Sequence, residues 1–101
     1  MADDGIVPDV LVAVSSLPES LFYRNNTGAG EMHGRWIAFG LKGSGDIMGC
    51  RRGRAVAIEC KARRGRLARQ QKDFRAAWER AGGLYVVARS VDDALKALAN
   101  V

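Results

Sequence analysis

GSGDIMGCRRGRAVAIECKARRGRLARQQ, residues 43–71, reads as a β-hairpin running into a helix, with one carboxylate on each strand. If Arg51, Arg52, Gly53 and Arg54 form a four-residue loop, Cys50 faces Ala55, and counting back along both strands sets Asp46 directly opposite Glu59. Opposed residues of an antiparallel pair carry Cβ atoms roughly 4.5–5.5 Å apart, close enough for two like charges to repel. A divalent cation or a nearby ammonium would offset that repulsion. Lys61 follows Glu59 at the strand period of two and so shares its face. Two carboxylates and a lysine, exposed at the end of an apolar hairpin, suit a hard, oxygen-seeking ion such as Mg²⁺. The same three residues also fit a solvated strand edge with a weak surface pair. A register slip of one residue would send Asp46 to the other face and dissolve the cluster.

The opposite face of the second strand, Val56, Ile58 and Cys60, is apolar and suited to packing under a helix. The helix that follows starts at Leu67, and its inward stripe is Leu67, Phe74, Trp78 and Ala81, with Gln71 filling the gap. A glutamine on a sheet-facing stripe needs partners for its amide. Aimed at the carboxylates it finds them; at the rim of the stripe it reaches solvent instead.

Charge points the same way. Lys and Arg total 16 against 11 acids, a net charge of +5 with a pI near 9.8. The excess is concentrated: Arg51, Arg52, Arg54, Lys61, Arg63, Arg64, Arg66, Arg69 and Lys72 stand against the single acid Glu59. Such a field beside a carboxylate pair suits a polyanion whose phosphate is brought to a metal, whereas a merely solubilising face would not need so one-sided a bias. Cys50 and Cys60 are out of register for a bridge and read as reduced core residues. With His33 they are too few for a four-ligand zinc site, and His33, alone in a glycine-flanked loop, lacks the second histidine of histidine-based nuclease chemistry.

A chain of 101 residues forms one domain with a modest core. Residues 1–8 are acidic and lack the basic start and apolar run of a signal peptide, and no stretch approaches the 18 apolar residues of a membrane span. Residues 9–17 read as either a strand or a short buried helix; Pro8 at a first helical turn favours the helix, and Pro18 would stop it. Residues 20–26 form a strand ahead of a polar turn at 25–30. There Arg24, Asn25 and Asn26 either touch backbone phosphate or serve turn chemistry, since asparagine tolerates left-handed backbone. Residues 31–34 are loop and 35–41 a second strand. Lys42, Gly43, Ser44 and Gly45 lead into Asp46, in glycine-rich backbone that a phosphate can approach closely. Gly82 and Gly83 end the central helix, residues 84–89 form a buried strand, and Ser90 with Asp93 opens a last helix over 91–98.

Asp46, then Glu59-Cys60-Lys61, then Gly65-Arg66-Leu67 followed by Gln71, resembles the PD-(D/E)XK nuclease superfamily, and within it the small virus-type replication-repair nuclease (VRR-NUC) domain. The likeness runs over residues 22–98 and takes in Arg24-Asn25-Asn26-Thr27-Gly28, Phe39-Gly40 and Gly82-Gly83. Gly45 replaces the proline usual before the aspartate, and Ala68-Arg69 stands where the family commonly has Ser-Pro. For the acid that an N-terminal helix often adds to the site, only Asp9 and Glu19 are nearby, and neither sits on an inward face.

The resemblance implies an α/β fold with a restriction-endonuclease-like core, a mixed β-sheet flanked by helices in the order α-β-β-β-α-β-α, and one VRR-NUC-like domain over 1–101. It implies Mg²⁺, with Mn²⁺ able to substitute, held by Asp46, Glu59 and the backbone carbonyl of Cys60, and no small-molecule cofactor. Asp46, Glu59, Lys61 and Gln71 would be catalytic, Lys61 orienting or deprotonating the attacking water and Gln71 positioning that water or Lys61. Arg24, Asn25, Lys42, Ser44, Arg51, Arg52, Arg63, Arg64 and Arg66 would grip nucleic acid. The expected protein is a cytoplasmic homodimer of phage or prophage type, in a bacterial cell or infected host. It would cut branched DNA such as Holliday junctions with weak sequence preference. Two other readings compete: a catalytically inactive basic domain that binds nucleic acid on the same fold, and a structural subunit of a replication complex.

Overall fold

The structure, a computed structural model, describes residues 5–101, so the first half of the acidic N-terminal segment lies outside the described residues. The elements are α1 (Val7–Ser15), β1 (Ser20–Arg24), β2 (Gly28–Met32), β3 (Arg35–Phe39), β4 (Ile47–Arg51), β5 (Arg54–Cys60), α2 (Arg69–Arg80), β6 (Leu84–Ala88) and α3 (Val91–Leu98). Four strands form a mixed sheet in the order β1-β4-β5-β6, with β5 and β6 parallel and the other pairs antiparallel. Parallel neighbours need a crossover, which α2 supplies.

Two corrections to the sequence reading concern the strands. Five precede α2 rather than the three of the implied order: the two strands of the β4–β5 hairpin each add to those at 20–26 and 35–41, and residues 28–32, read as turn and loop, pair with β3 as a separate two-stranded sheet. Its sequence, GAGEM, has almost no strand propensity; the pairing follows from the tight turn at His33 (φ 52°) and Gly34 (φ 76°). The β4–β5 loop is also shorter than expected. Arg51 and Arg54 still pair, leaving a two-residue turn of Arg52 (φ 49°) and Gly53 (φ 82°), the left-handed pair that matches strand twist in tight hairpins. Both loops give the same register, and Cys50 faces Ala55 as counted.

That register sorts the side chains. Phe22, Ile47, Val56, Ile58, Val86 and Ala88 face one side, where α1 adds Val7, Val10 and Val14 and α3 adds Ala94 and Leu98. Ile47, Ile58, Leu98, Val10, Val14 and Val56 are fully buried, each stabilising the fold by roughly 1.5–3 kcal/mol. On the other side α2 covers only the β5–β6 half. Phe74 stacks on Trp78 at 5.3 Å and meets the Tyr85 ring at 6.1 Å. Cys50, expected in the core, lies on the uncovered half of this side and is exposed.

Candidate active site

Asp46 stands one residue before β4, where the ladder ends. Its backbone carbonyl accepts from Asn25 N at 2.8 Å, and its side chain turns across to β5, where Oδ2 accepts from the backbone N–H of Cys60 at 2.8 Å. The carboxylate thus replaces the ladder bond that β4 no longer offers, which holds it at the mouth of the hairpin. In an extended residue the N–H and C=O leave the same strand edge, so the Cys60 carbonyl is directed toward the Asp46 side.

Glu59 is the next residue inward and lies on the α2 face, only 5% exposed, where the sequence reading puts it at an exposed strand end. Its Oε1 accepts from Gln71 Nε2 at 2.9 Å and lies 3.8 Å from Lys61 Nζ. Gln71 therefore sits on the sheet-facing side of α2. Its own Oε1 accepts from Ala68 N at 2.8 Å, so one amide caps the helix and tethers the acid. Ala68 offers no side-chain acceptor, and the helix starts at Arg69, two residues later than the sequence suggests.

Burial pushes the Glu59 carboxyl up to about 7, and the neighbouring Asp46 carboxylate pushes the same way against the weaker opposing pull of Lys61. A buried acid sharing its site with a second acid holds its proton unless a cation replaces it. Burial and the same two carboxylates raise the Cys60 thiol to about 12. Its side chain packs against the core, on the face of β5 opposite to Glu59, so a metal between the acids would meet the backbone oxygen instead. Tyr85, on β6, is not singled out by the sequence. Its hydroxyl is buried and, among the described residues, has no hydrogen-bond partner. Burial, then Glu59 and Asp46, raise its pKa. Its only sequence signal is a polar-tipped aromatic on an inward strand position.

The donor set fits magnesium. Two carboxylates and a carbonyl are hard oxygen ligands, and Mg²⁺ commonly keeps water and substrate phosphate for the rest of its octahedron. Among the described residues no group of three His, Cys, Asp or Glu side chains converges. Asp9 is exposed in the first turn of α1, and Glu19 pairs with Arg52 at 3.6 Å.

The expected nucleic-acid residues divide. Asn25 Nδ2 donates to Ser44 Oγ at 2.8 Å and to Gly45 O at 2.9 Å, and Ser44 Oγ donates to Leu41 O at 2.6 Å. Both residues serve turn chemistry, locking the segment that delivers Asp46. Within it, a Cβ on Gly45 would lie 2.8 Å from Ile58 O, which is why this approach to β5 takes glycine. Arg51 requires a correction. It is 4% exposed, its Nε donates to Leu98 O at 3.2 Å, and its Nη1 donates to Pro18 O at 2.5 Å and to Ser20 Oγ at 3.2 Å. It ties α3 to the α1–β1 link and presents no surface to a nucleic acid. Arg52, at the same turn, is exposed but about 20 Å from Asp46 by strand rise, and its Nη1 donates to Val101 O at 3.3 Å.

Arg24 and Lys42 are exposed on the two legs beside the site, and Arg63, Arg64 and Arg66 are exposed on the loop after Lys61. That loop is shaped by Arg89, unremarked in the sequence, whose Nη1 donates to Ala62 O and Gly65 O, both at 2.7 Å. The result is a buried Glu59 beside a half-buried Asp46, with an amine and an amide, flanked by exposed guanidinium groups. Among the described residues no helix is long and apolar enough to cross a membrane. No family model, no curated protein and no solved structure matches the chain.

Proposed function

We propose that this chain is a magnesium-dependent deoxyribonuclease of the virus-type replication-repair kind, built on a restriction-endonuclease-like core and cutting branched DNA such as four-way junctions. The observation that carries the reading is the meeting of Asp46 and Glu59 at the hairpin mouth with Lys61 and Gln71 bonded or ion-paired to the same Glu59 oxygen. Burial first, and the Asp46 carboxylate second, raise the Glu59 pKa, and a perturbation by desolvation plus a specific charged neighbour is a mark of functional sites.

Asp46, Glu59 and the Cys60 carbonyl would hold Mg²⁺ or Mn²⁺, which when bound polarises the phosphoryl oxygen and acidifies a bound water. The chain's residues do the remainder. Gln71 fixes the Glu59 rotamer through its Nε2 bond, so the carboxylate meets its ligand without reorganising. Lys61 Nζ places positive charge beside the acid pair, where it orients the attacking water and offsets charge developing on the phosphate. Arg63, Arg64 and Arg66 hold the backbone without reading bases, which implies strong salt dependence and weak sequence preference. Two copies related by a two-fold axis would set two sites for paired incisions, in the cytoplasm of a bacterial or phage-infected cell.

The test is an incision assay on labelled four-way, flapped and linear DNA with Mg²⁺, Mn²⁺ or EDTA. Metal-dependent cuts that vanish in Asp46→Ala support the reading. Uncleaved DNA from the wild type across all substrates and both metals sinks it and leaves the DNA-binding domain on the same fold.

A further inference from the structure

The β2–β3 hairpin is not used by the proposed chemistry. It forms its own two-stranded sheet and packs substantially against no other helix or strand. Five residue pairs at strand rise make it roughly 17 Å long, and the molecule measures 46 Å along one axis against 29 and 26 Å along the others. Free two-stranded hairpins are marginal in water, yet this one carries Trp36 at 76%, Met32 at 53% and Ile37 at 38% exposure. Large apolar groups this exposed on an unsupported arm mark a contact surface.

Three features identify what the arm meets. Directly opposed residues share a face, so Trp36 lies with Glu31, Ala29 and Ala38 on one side, while Ile37, Met32 and Arg35 lie on the other. Apolar side chains on both faces of a thin arm suit insertion between two layers, as bases on either side of an opened step provide, better than docking on one flat protein surface. The body of the arm is slim, with Gly28, Ala29, Gly30 and Ala38 between its root and its apolar end. The root lies at the acid pair. Its legs, residues 24–27 and 40–45, are clamped together by the Asn25 amide on Ser44 and Gly45, one residue from Asp46. Lys42 on the second leg and Arg35 on the arm add exposed positive charge.

We propose that this hairpin enters the opened centre of branched DNA, where Trp36 stacks on an unpaired base and Ile37 and Met32 wedge the opposite side, so that the branch point is set beside Asp46 and Glu59. This rests on the nuclease reading for its consequence but not for the contact itself. Aromatic stacking on a base is tolerant of sequence, and apolar wedges hold base steps apart. The arm thereby selects structure rather than sequence.

The contact is tested by fluorescence in EDTA, where cleavage plays no part. The emission of wild type minus that of Trp36→Phe isolates Trp36 from Trp78. Adding a four-way junction with 2-aminopurine at its centre quenches that difference signal, and linear duplex of equal length does so much less. Trp36→Ala lowers the ratio of junction to duplex affinity roughly 10-fold, the value of one stacked base, and Trp36→Phe restores most of it. Because Trp36 is exposed, neither variant perturbs the core. An unchanged ratio in Trp36→Ala overturns the proposal. So does a Trp36 signal that responds to protein concentration and not to DNA, which would assign the arm to a second copy of the chain. If the wild type cuts nothing but the quench and the ratio change are seen, the nuclease reading fails and the hairpin contact stands.

Discussion

The side-chain amide of Gln71 on α2 donates to Glu59 Oε1 on β5 at 2.9 Å while accepting from Ala68 N at 2.8 Å. One side chain thus ties the helix start to the acid that the proposed chemistry uses. Gln71→Ala removes both bonds, fraying the first turn by about 1 kcal/mol and freeing the Glu59 rotamer. Gln71→Glu keeps an acceptor for Ala68 N but sets a second negative charge against Glu59. The alanine variant is expected to melt earlier and cleave at least about 10-fold more slowly. The glutamate variant is expected to keep more of the cap and cleave more slowly still. Equal kcat in all three proteins would remove Gln71 from the site.

Glu59 should set a pH dependence of stability. Its folded pKa of about 7 lies above the ordinary 4.5, so folding favours the protonated acid. That contribution is fully present below pH 4.5 and is lost as pH rises through about 7, a difference on the order of 3 kcal/mol. Urea unfolding in EDTA, wild type against Glu59→Gln, reads it. The wild type weakens relative to the variant between pH 5 and pH 8. Mg²⁺ restores wild-type stability at pH 8 and leaves the variant unchanged.

The Asp46 carboxylate is the second cause of that raised pKa. Asp46→Ala is expected to lower the Glu59 midpoint, measured by carboxyl ¹³C NMR titration, and to abolish metal-dependent cleavage. DNA affinity in EDTA changes little. A Glu59 midpoint that does not move would show the two acids are too far apart to share an ion.

Arginines with similar sequence surroundings should behave oppositely. Arg51→Ala strands the carbonyls of Pro18 and Leu98 and costs roughly 3 kcal/mol in chemical denaturation. The triple variant Arg63→Ala, Arg64→Ala, Arg66→Ala leaves the melting temperature unchanged. Its plot of log affinity for DNA against log salt is shallower, by up to about 0.9 in slope for each phosphate that is no longer neutralised.

Much of this was legible in the chain. The pairing of Cys50 with Ala55 extends by strand arithmetic to Asp46 and Glu59, and the period of two sends Lys61 to the same face. Gln71 was legible because a polar residue interrupts an otherwise apolar helical stripe. The α3 start was legible from Ser90, whose Oγ accepts from Asp93 N at 3.1 Å. Residues 28–32 were not, since glycine and alanine carry little strand preference and only the partner strand makes them pair. The burial of Glu59 was not either, because Glu-x-Lys on a strand reads as solvated until a helix is laid over it.

By itself, then, the order of residues determined which side chains share a strand face and which segments become helices, because those follow from local periods of two and 3.6. What only the tertiary structure decided is which charges are spent inside the molecule. Arg51 and Arg52 are neighbours in the sequence with the same chemistry. One is buried against carbonyls 33 and 47 residues away, and the other is left in solvent, because burial is settled by where distant backbone comes to lie.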